Sequence, residues 1–162
     1  MASIFEPEFD DTLERRGFAY RRARLGRQVG AAKLGASLYE IPPGAANFPY
    51  HWHGANEEFA IVVAGRPSVR TPEGWRELVE GEVVSFPVGE AGAHQLANRT
   101  DEPARVLIIS TMIAPEVNGY PDSGKVLATL RPPGSPDDGS LAAAFRVADG
   151  VDYWEGENPP AE

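Results

Sequence analysis

The chain has 162 residues, a formal net charge of −9 and no cysteine. This length suits one domain whose core needs no covalent staples, and the absence of cysteine excludes disulfides, thiolate metal ligands and cysteine nucleophiles. The acidic balance argues against a nucleic-acid partner, because affinity for phosphate backbones rests on Lys and Arg.

From the amino end, Met1 to Pro7 shows neither a basic leader nor an apolar signal core, and no apolar run approaches a bilayer span. A cytoplasmic protein with no membrane partner is expected. Residues 1–25 are expected to form an N-terminal arm; its basic stretches, Arg15-Arg16 and Arg21-Arg22-Ala23-Arg24, read as a solvated strand face or a dimer contact. Leu38 to Ile41 is strand-like and runs into the turn signal Pro42-Pro43-Gly44, after which Phe48 to His53 predicts a strand. Phe59 to Ala64 is a β-rich run ended by Gly65. Pro67 to Arg70 and Trp75 to Val79 flank Thr71-Pro72-Glu73-Gly74, a hairpin turn signal. Val83 to Phe86, the stretch around His94 and the apolar run Arg105 to Thr111 complete an all-β pattern. Beyond it, Asp122-Ser123-Gly124 reads as turn chemistry rather than as part of a catalytic triad, and Val126 to Leu130 as a strand. Arg131 to Gly139 reads as a loop, Leu141 to Val147 as a short helix or strand, and Val151 to Glu155 supplies aromatics that call for a surface to pack on.

The chemistry-bearing residues are concentrated. The three histidines, His51, His53 and His94, all lie in two glycine-punctuated segments that also hold Glu58 and Asn98. Residues i and i+2 of an extended strand share a face, so His51 and His53 can grip one ion together. No phosphate-binding loop or dinucleotide fingerprint is present. Asn98-Arg99-Thr100 matches a glycosylation sequon, but without a secretory signal it carries little weight.

The segment His51-Trp52-His53 through Glu58 to Gly65, and the segment Gly81 through Pro87, Gly89 and His94 to Asn98, resemble the two motifs of the cupin superfamily, G-x5-H-x-H-x3,4-E-x6-G and G-x5-P-x-G-x2-H-x3-N. Six residues separate Gly44 from His51 where the pattern has five, and four separate Gly89 from His94 where it has two, which lengthens the loop that delivers His94. The resemblance implies metal ligation by His51, His53, Glu58 and His94. Glu57 competes with Glu58 for the acidic position; six residues beyond Glu58 lead to Gly65, which favours Glu58. The chain also resembles small single-domain bacterial cupins in its Gly35–Gly44 entry and in Tyr120-Pro121-Asp122-Ser123-Gly124-Lys125.

The implied fold is a double-stranded β-helix, the jelly-roll barrel, over residues 26–112, with the arm of residues 1–25 before it. An extension of residues 113–162 would pack on the barrel or on a partner in a homodimer. The implied cofactor is a divalent transition metal such as Fe, Mn, Ni or Zn. Three imidazoles and a carboxylate leave such an ion about one positive charge and open positions, suited to a small oxygen-rich, anionic metabolite. Three readings follow: a metal-dependent dioxygenase, isomerase or lyase; a non-catalytic small-molecule or metal binding protein; or a barrel stiffened by its metal. Glu57, Tyr39, Tyr50 and Arg70 are the candidates for a further proton-transfer or orienting group, since no histidine is left uncommitted.

Overall fold

The computed structural model describes residues 2–135 and 138–159; Met1, Pro136, Asp137 and residues 160–162, which belong to the expected arm, loop and extension, lie outside the described residues. The described chain is nearly all β. In order it forms β1 (Asp11–Arg15), β2 (Phe18–Ala23), a one-turn helix α1 (Leu25–Gln28), β3 (Leu34–Ile41), β4 (Trp52–His53), β5 (Glu58–Ala64), β6 (Ser68–Thr71), β7 (Gly74–Glu77), β8 (Val83–Phe86), β9 (Gln95–Ala97), β10 (Ala104–Thr111), β11 (Glu116–Tyr120), β12 (Lys125–Thr129) and β13 (Ala142–Arg146). No described helix is long and apolar enough to cross a membrane.

One sheet runs β1-β2-β3-β10-β5-β8. Opposite it stand a four-stranded sheet, β13-β12-β11-β4, and a three-stranded one, β7-β6-β9. These two are joined by an antiparallel bridge in which the amide of His51 donates to His94 O at 3.1 Å and that of His94 to His51 O at 2.8 Å. All the strand pairs are antiparallel, as a jelly roll requires.

Strand alternation sorts the side chains. Along β10, Ala104, Val106, Ile108 and Ser110 are buried and their neighbours less so. Val106 and Ile108 join Tyr20, Tyr39, Ile41, Ala60, Val62, Phe86 and Leu96 in the central core. A second cluster, Ala23, Leu25 and Leu38 with Ile4 and Phe9 against it, caps the outer face of the large sheet. Residues of the expected arm therefore enter the fold as two strands, β1 and β2, that continue that sheet beside β3.

Several local expectations shift. The strand expected over Phe48 to His53 is reduced to β4, with His51 held only by its bridge to His94. Pro49 has no N–H to give a ladder, which interrupts the pairing there. Thr71 pairs with Gly74 across a two-residue turn, as the hairpin signal predicts. Leu141 to Val147 resolves as strand β13, pairing β12. Asp122 lies in a single 3-10 turn, Pro121–Ser123, and is ion-paired with Arg70 at 2.6 Å. Tyr153 and Trp154 do not find the barrel: they are 82% and 71% exposed and pack edge to face on each other at 4.8 Å.

Candidate metal centre

His53 ends β4, Glu58 opens β5, and His51 and His94 face each other across the bridge between the two smaller sheets. One ligand atom from each of the four residues lies within 4.8 Å of every other. Glu58 Oε2 is 3.1 Å from His94 Nε2 and 3.5 Å from His53 Nε2. Glu57, the competing acid, is exposed, and its amide donates to Thr111 Oγ1 at 3.2 Å.

The far edge of each imidazole is anchored. His51 Nδ1 donates to Pro49 O at 2.8 Å and His94 Nδ1 to Gly92 O at 2.9 Å, which fixes the tautomer and leaves both Nε2 lone pairs facing inward. His53 Nδ1 lies 2.7 Å from the side-chain amide of Asn118 on β11 and 3.7 Å from Glu116 Oε2. With the amide oxygen of Asn118 turned to accept from Nδ1, the third Nε2 is also free to ligate; oxygen and nitrogen of an amide are interchangeable by a flip. His53 Nε2 is buried and makes no hydrogen bond among the described residues. A buried, unpartnered nitrogen beside a carboxylate and two more imidazole nitrogens fits a divalent cation.

Behind His53, the Glu116 carboxylate is fully buried. It accepts from the amides of Gly54 and Ala55 at 2.9 and 3.1 Å and from the Asn56 side chain. His94 is delivered by the long loop after Pro87, which closes as a 3-10 turn, Glu90–Gly92. Gly89 takes φ +87° there, and a Cβ on Gly92 would lie 1.7 Å from Pro87 O, so the turn admits only glycine at that point. The Phe86 ring stacks on His94 at 3.9 Å, 12° from parallel.

The protonation states of His51 and Glu58 suit ligation, whereas His53 would give up a proton to a cation. Burial, together with the neighbouring His94 and His53, pushes His51 down to about 3, so it stays a neutral donor. Burial also opposes charging of His53, but Glu58 and Glu116 outweigh it and raise its pKa. Burial works against the charged form of Glu58, yet its contacts with His53 and His94 hold it well below the usual carboxylate range.

The four residues open on a cavity of about 230 Å³ that also touches Arg22, Tyr39, Phe48, Ile108, Asn118 and Tyr120. Through Arg22, Tyr39, Glu58 and Ile108 it is continuous with a larger one of about 420 Å³, whose walls include Arg24, Arg27, Ser37 and Ser110. Of the candidates for a further group, Tyr39 alone lines this space. Arg70 lies over the Tyr50 ring at 4.0 Å and is paired with Asp122, and Glu57 lines neither cavity. Asn98 ties loops together behind the site, its amide donating to Ile41 O and Glu102 O at 2.9 and 2.8 Å.

Sequence reasoning missed Arg22, Glu116, Asn118 and Tyr120. For Arg22 a signal existed. It shares a strand face with Tyr20, a core aromatic, so it faces inward and not into solvent as the basic stretch suggests. Asn118 is brought to His53 by the β4–β11 pairing across 65 residues, for which no local motif exists.

An antiparallel jelly roll holding a His-His-Glu-His cluster defines a cupin-type barrel with a candidate metal site. Residues 37–110, just under half of the chain, match the family model described as Cupin domain, and this part of the chain is a small cupin barrel. A solved structure from Silicibacter pomeroyi, described as a sugar phosphate isomerase from a cupin superfamily, is 25% identical, with 92% of this chain and 94% of that one covered at TM-score 0.77. A proposed sugar phosphate isomerase from Acidithiobacillus ferrooxidans is 27% identical, with 84% and 81% covered at TM-score 0.72. A polyketide cyclase from Streptomyces resistomycificus, 22% identical over 57% of this chain and 64% of that one at TM-score 0.50, shares the fold alone. No curated protein matches the chain.

Proposed function

We propose that the protein binds a divalent transition metal through His51, His53, Glu58 and His94 and isomerises a small, oxygen-rich anionic metabolite of the sugar phosphate class. The observation that carries this reading is the four-residue cluster opening on a cavity walled by arginine and tyrosine. The likeness to two structures described as sugar phosphate isomerases, over most of both chains, supports the reaction type and substrate class. A nitrogen-rich set with one carboxylate suits Fe, Mn, Ni or Zn. When bound, the ion would polarise a substrate carbonyl or hydroxyl as a Lewis acid.

The isomerisation moves one proton from a hydroxyl-bearing carbon to the neighbouring carbonyl carbon and one from hydroxyl to carbonyl oxygen, with no external oxidant. Burial pushes the Tyr39 hydroxyl up to about 12, so it stays protonated at neutral pH and donates to a substrate oxygen rather than acting as a base. Tyr120, stacked 6.0 Å from His51, walls the other side.

A second reading, binding without turnover, is favoured by one observation: among the described residues lining the two cavities, Glu58 is the sole carboxylate, and it belongs to the proposed ligand set. Incubation of metal-loaded protein with aldose and ketose phosphates in deuterium oxide separates the two. Isomerase action places deuterium on the carbon next to the carbonyl. Saturable binding with neither exchange nor interconversion of aldose and ketose leaves the binding protein.

The reading also includes a cytoplasmic homodimer, with an N-terminal arm of residues 1–25, a barrel of residues 26–112 and an extension of residues 113–162 that packs on the barrel or on the partner. The exposed apolar side chains of Leu130, Leu141, Phe145 and Val147 supply material for the dimer contact, and sedimentation velocity tests it.

A further inference from the structure

The larger cavity has a chemistry of its own. Arg22, Arg24 and Arg27 line it, drawn from β2, the link to α1, and α1 itself, and it reaches back to Tyr39 and Glu58. Three guanidinium groups on one cavity of so acidic a chain raise the question of what partners each. Arg24 is held by Asp10, with Nε 3.1 Å from Oδ1 and Nη2 3.2 Å from the main-chain oxygen. Arg22 is paired through Nη2 with Asp11, and its Nη1 reaches the Tyr39 hydroxyl at 3.5 Å. Its Nε is buried with no hydrogen-bond partner among the described residues. Arg27 is exposed and makes no side-chain hydrogen bond or ion pair among the described residues. The two aspartates offset two of the three charges, and Glu58 is turned toward the histidines. What is left over is one unbalanced cation, one buried donor without an acceptor, and the donors of Arg27.

We infer that this part of the cavity is an oxyanion subsite that holds the phosphate of a phosphorylated polyol, with Arg22 and Arg27 as its binding residues, while the sugar end of the molecule reaches toward the histidine cluster. The inference rests on the reading of the cavity as a substrate site. An unpaired buried donor is costly and is relieved by an acceptor brought in by the ligand. A phosphate presents three terminal oxygens and close to two charges, enough for two guanidinium groups, whereas a carboxylate presents two oxygens and one charge. Arg22 lies directly across from Tyr39 in the β2–β3 register, so the subsite is mounted on the large sheet rather than on a free loop. Both cavities are bordered by Arg22, Tyr39, Glu58, Pro133 and Gly134, so one small molecule can span them.

The test is calorimetric, on metal-free protein, with inorganic phosphate, ribose 5-phosphate, ribose and ribonate as probes. Ribose 5-phosphate should bind more tightly than ribonate, and ribose should not bind measurably. Arg27→Gln and Arg22→Gln should each weaken ribose 5-phosphate and inorganic phosphate by about tenfold or more, as expected for loss of a charge-assisted hydrogen bond. Arg27 is exposed, so its variant keeps the test meaningful even if Arg22→Gln disturbs the Asp11 pairing. Arg66→Gln, which removes an exposed arginine outside both cavities, should leave phosphate binding within about twofold. Failure of phosphate to bind, equal binding by Arg27→Gln, tighter binding of ribonate, or an equal loss of phosphate binding in Arg66→Gln would each overturn the subsite. Arginine-dependent phosphate binding in a loaded protein that neither exchanges deuterium nor interconverts aldose and ketose would instead overturn isomerase action and leave the subsite standing.

Discussion

At the scale of single residues, the candidate centre divides into groups that would touch an ion and groups that aim them. His51→Ala and His94→Ala should lose stoichiometric metal by elemental analysis while retaining the circular dichroism of a folded β protein, since neither side chain belongs to the hydrophobic core. Unfolding of both variants would make the cluster a structural staple. Asn118→Ala tests the aiming group: roughly 10- to 100-fold weaker metal affinity is expected, the usual cost of removing a partner behind a ligating imidazole. Glu116→Ala should act on stability. It takes the acceptor from the amides of Gly54 and Ala55 and from Asn56 in a fully buried place, at a cost of roughly 2–3 kcal/mol that thermal denaturation would show.

At the scale of elements, the loop from Pro87 to His94 is the critical delivery device. Gly92→Ala drives a Cβ into the Pro87 carbonyl, so the turn must open and carry His94 with it. Reduced metal occupancy and a loss of about 1–3 kcal/mol are expected, measurable by titration and melting. These elements also show what a linear sequence reveals. The cluster of His51, His53, Glu58 and His94 was legible through its resemblance to the two cupin motifs; strand periodicity by itself pairs only His51 with His53. Most strands from β3 to β10 were legible from alternation and turn residues, down to the Pro72-Glu73 hairpin turn, whereas β1 and β11 were not. Arg22 was obscured by its exposed neighbour Arg21, so alternation looked like a basic run. Asn118 and Tyr120 were hidden more deeply: their place depends on β11 pairing with β4, a long-range choice that no local composition encodes.

At the scale of the whole molecule, an ion bound only by the folded state adds stability by mass action. At a free metal concentration 100-fold above its dissociation constant the gain is about 2.7 kcal/mol, which for a chain of this size raises the melting temperature by roughly 5–10 °C. Melting curves of chelated and reloaded protein check this. A shift of zero with either manganese or zinc would argue that the cluster holds no ion.

The ladder that joins the four-stranded and three-stranded sheets at the centre is narrow: there the backbone of His51 meets that of His94, two of the four clustered residues. A cation gripping both side chains would thus act as a rivet through a seam in the barrel wall. The amides of His51 and His94 become reporters of occupancy. In hydrogen exchange they should slow on loading far more than amides in the middle of β10, and metal release should register first as a loosening between the two halves of one wall rather than as melting of the core.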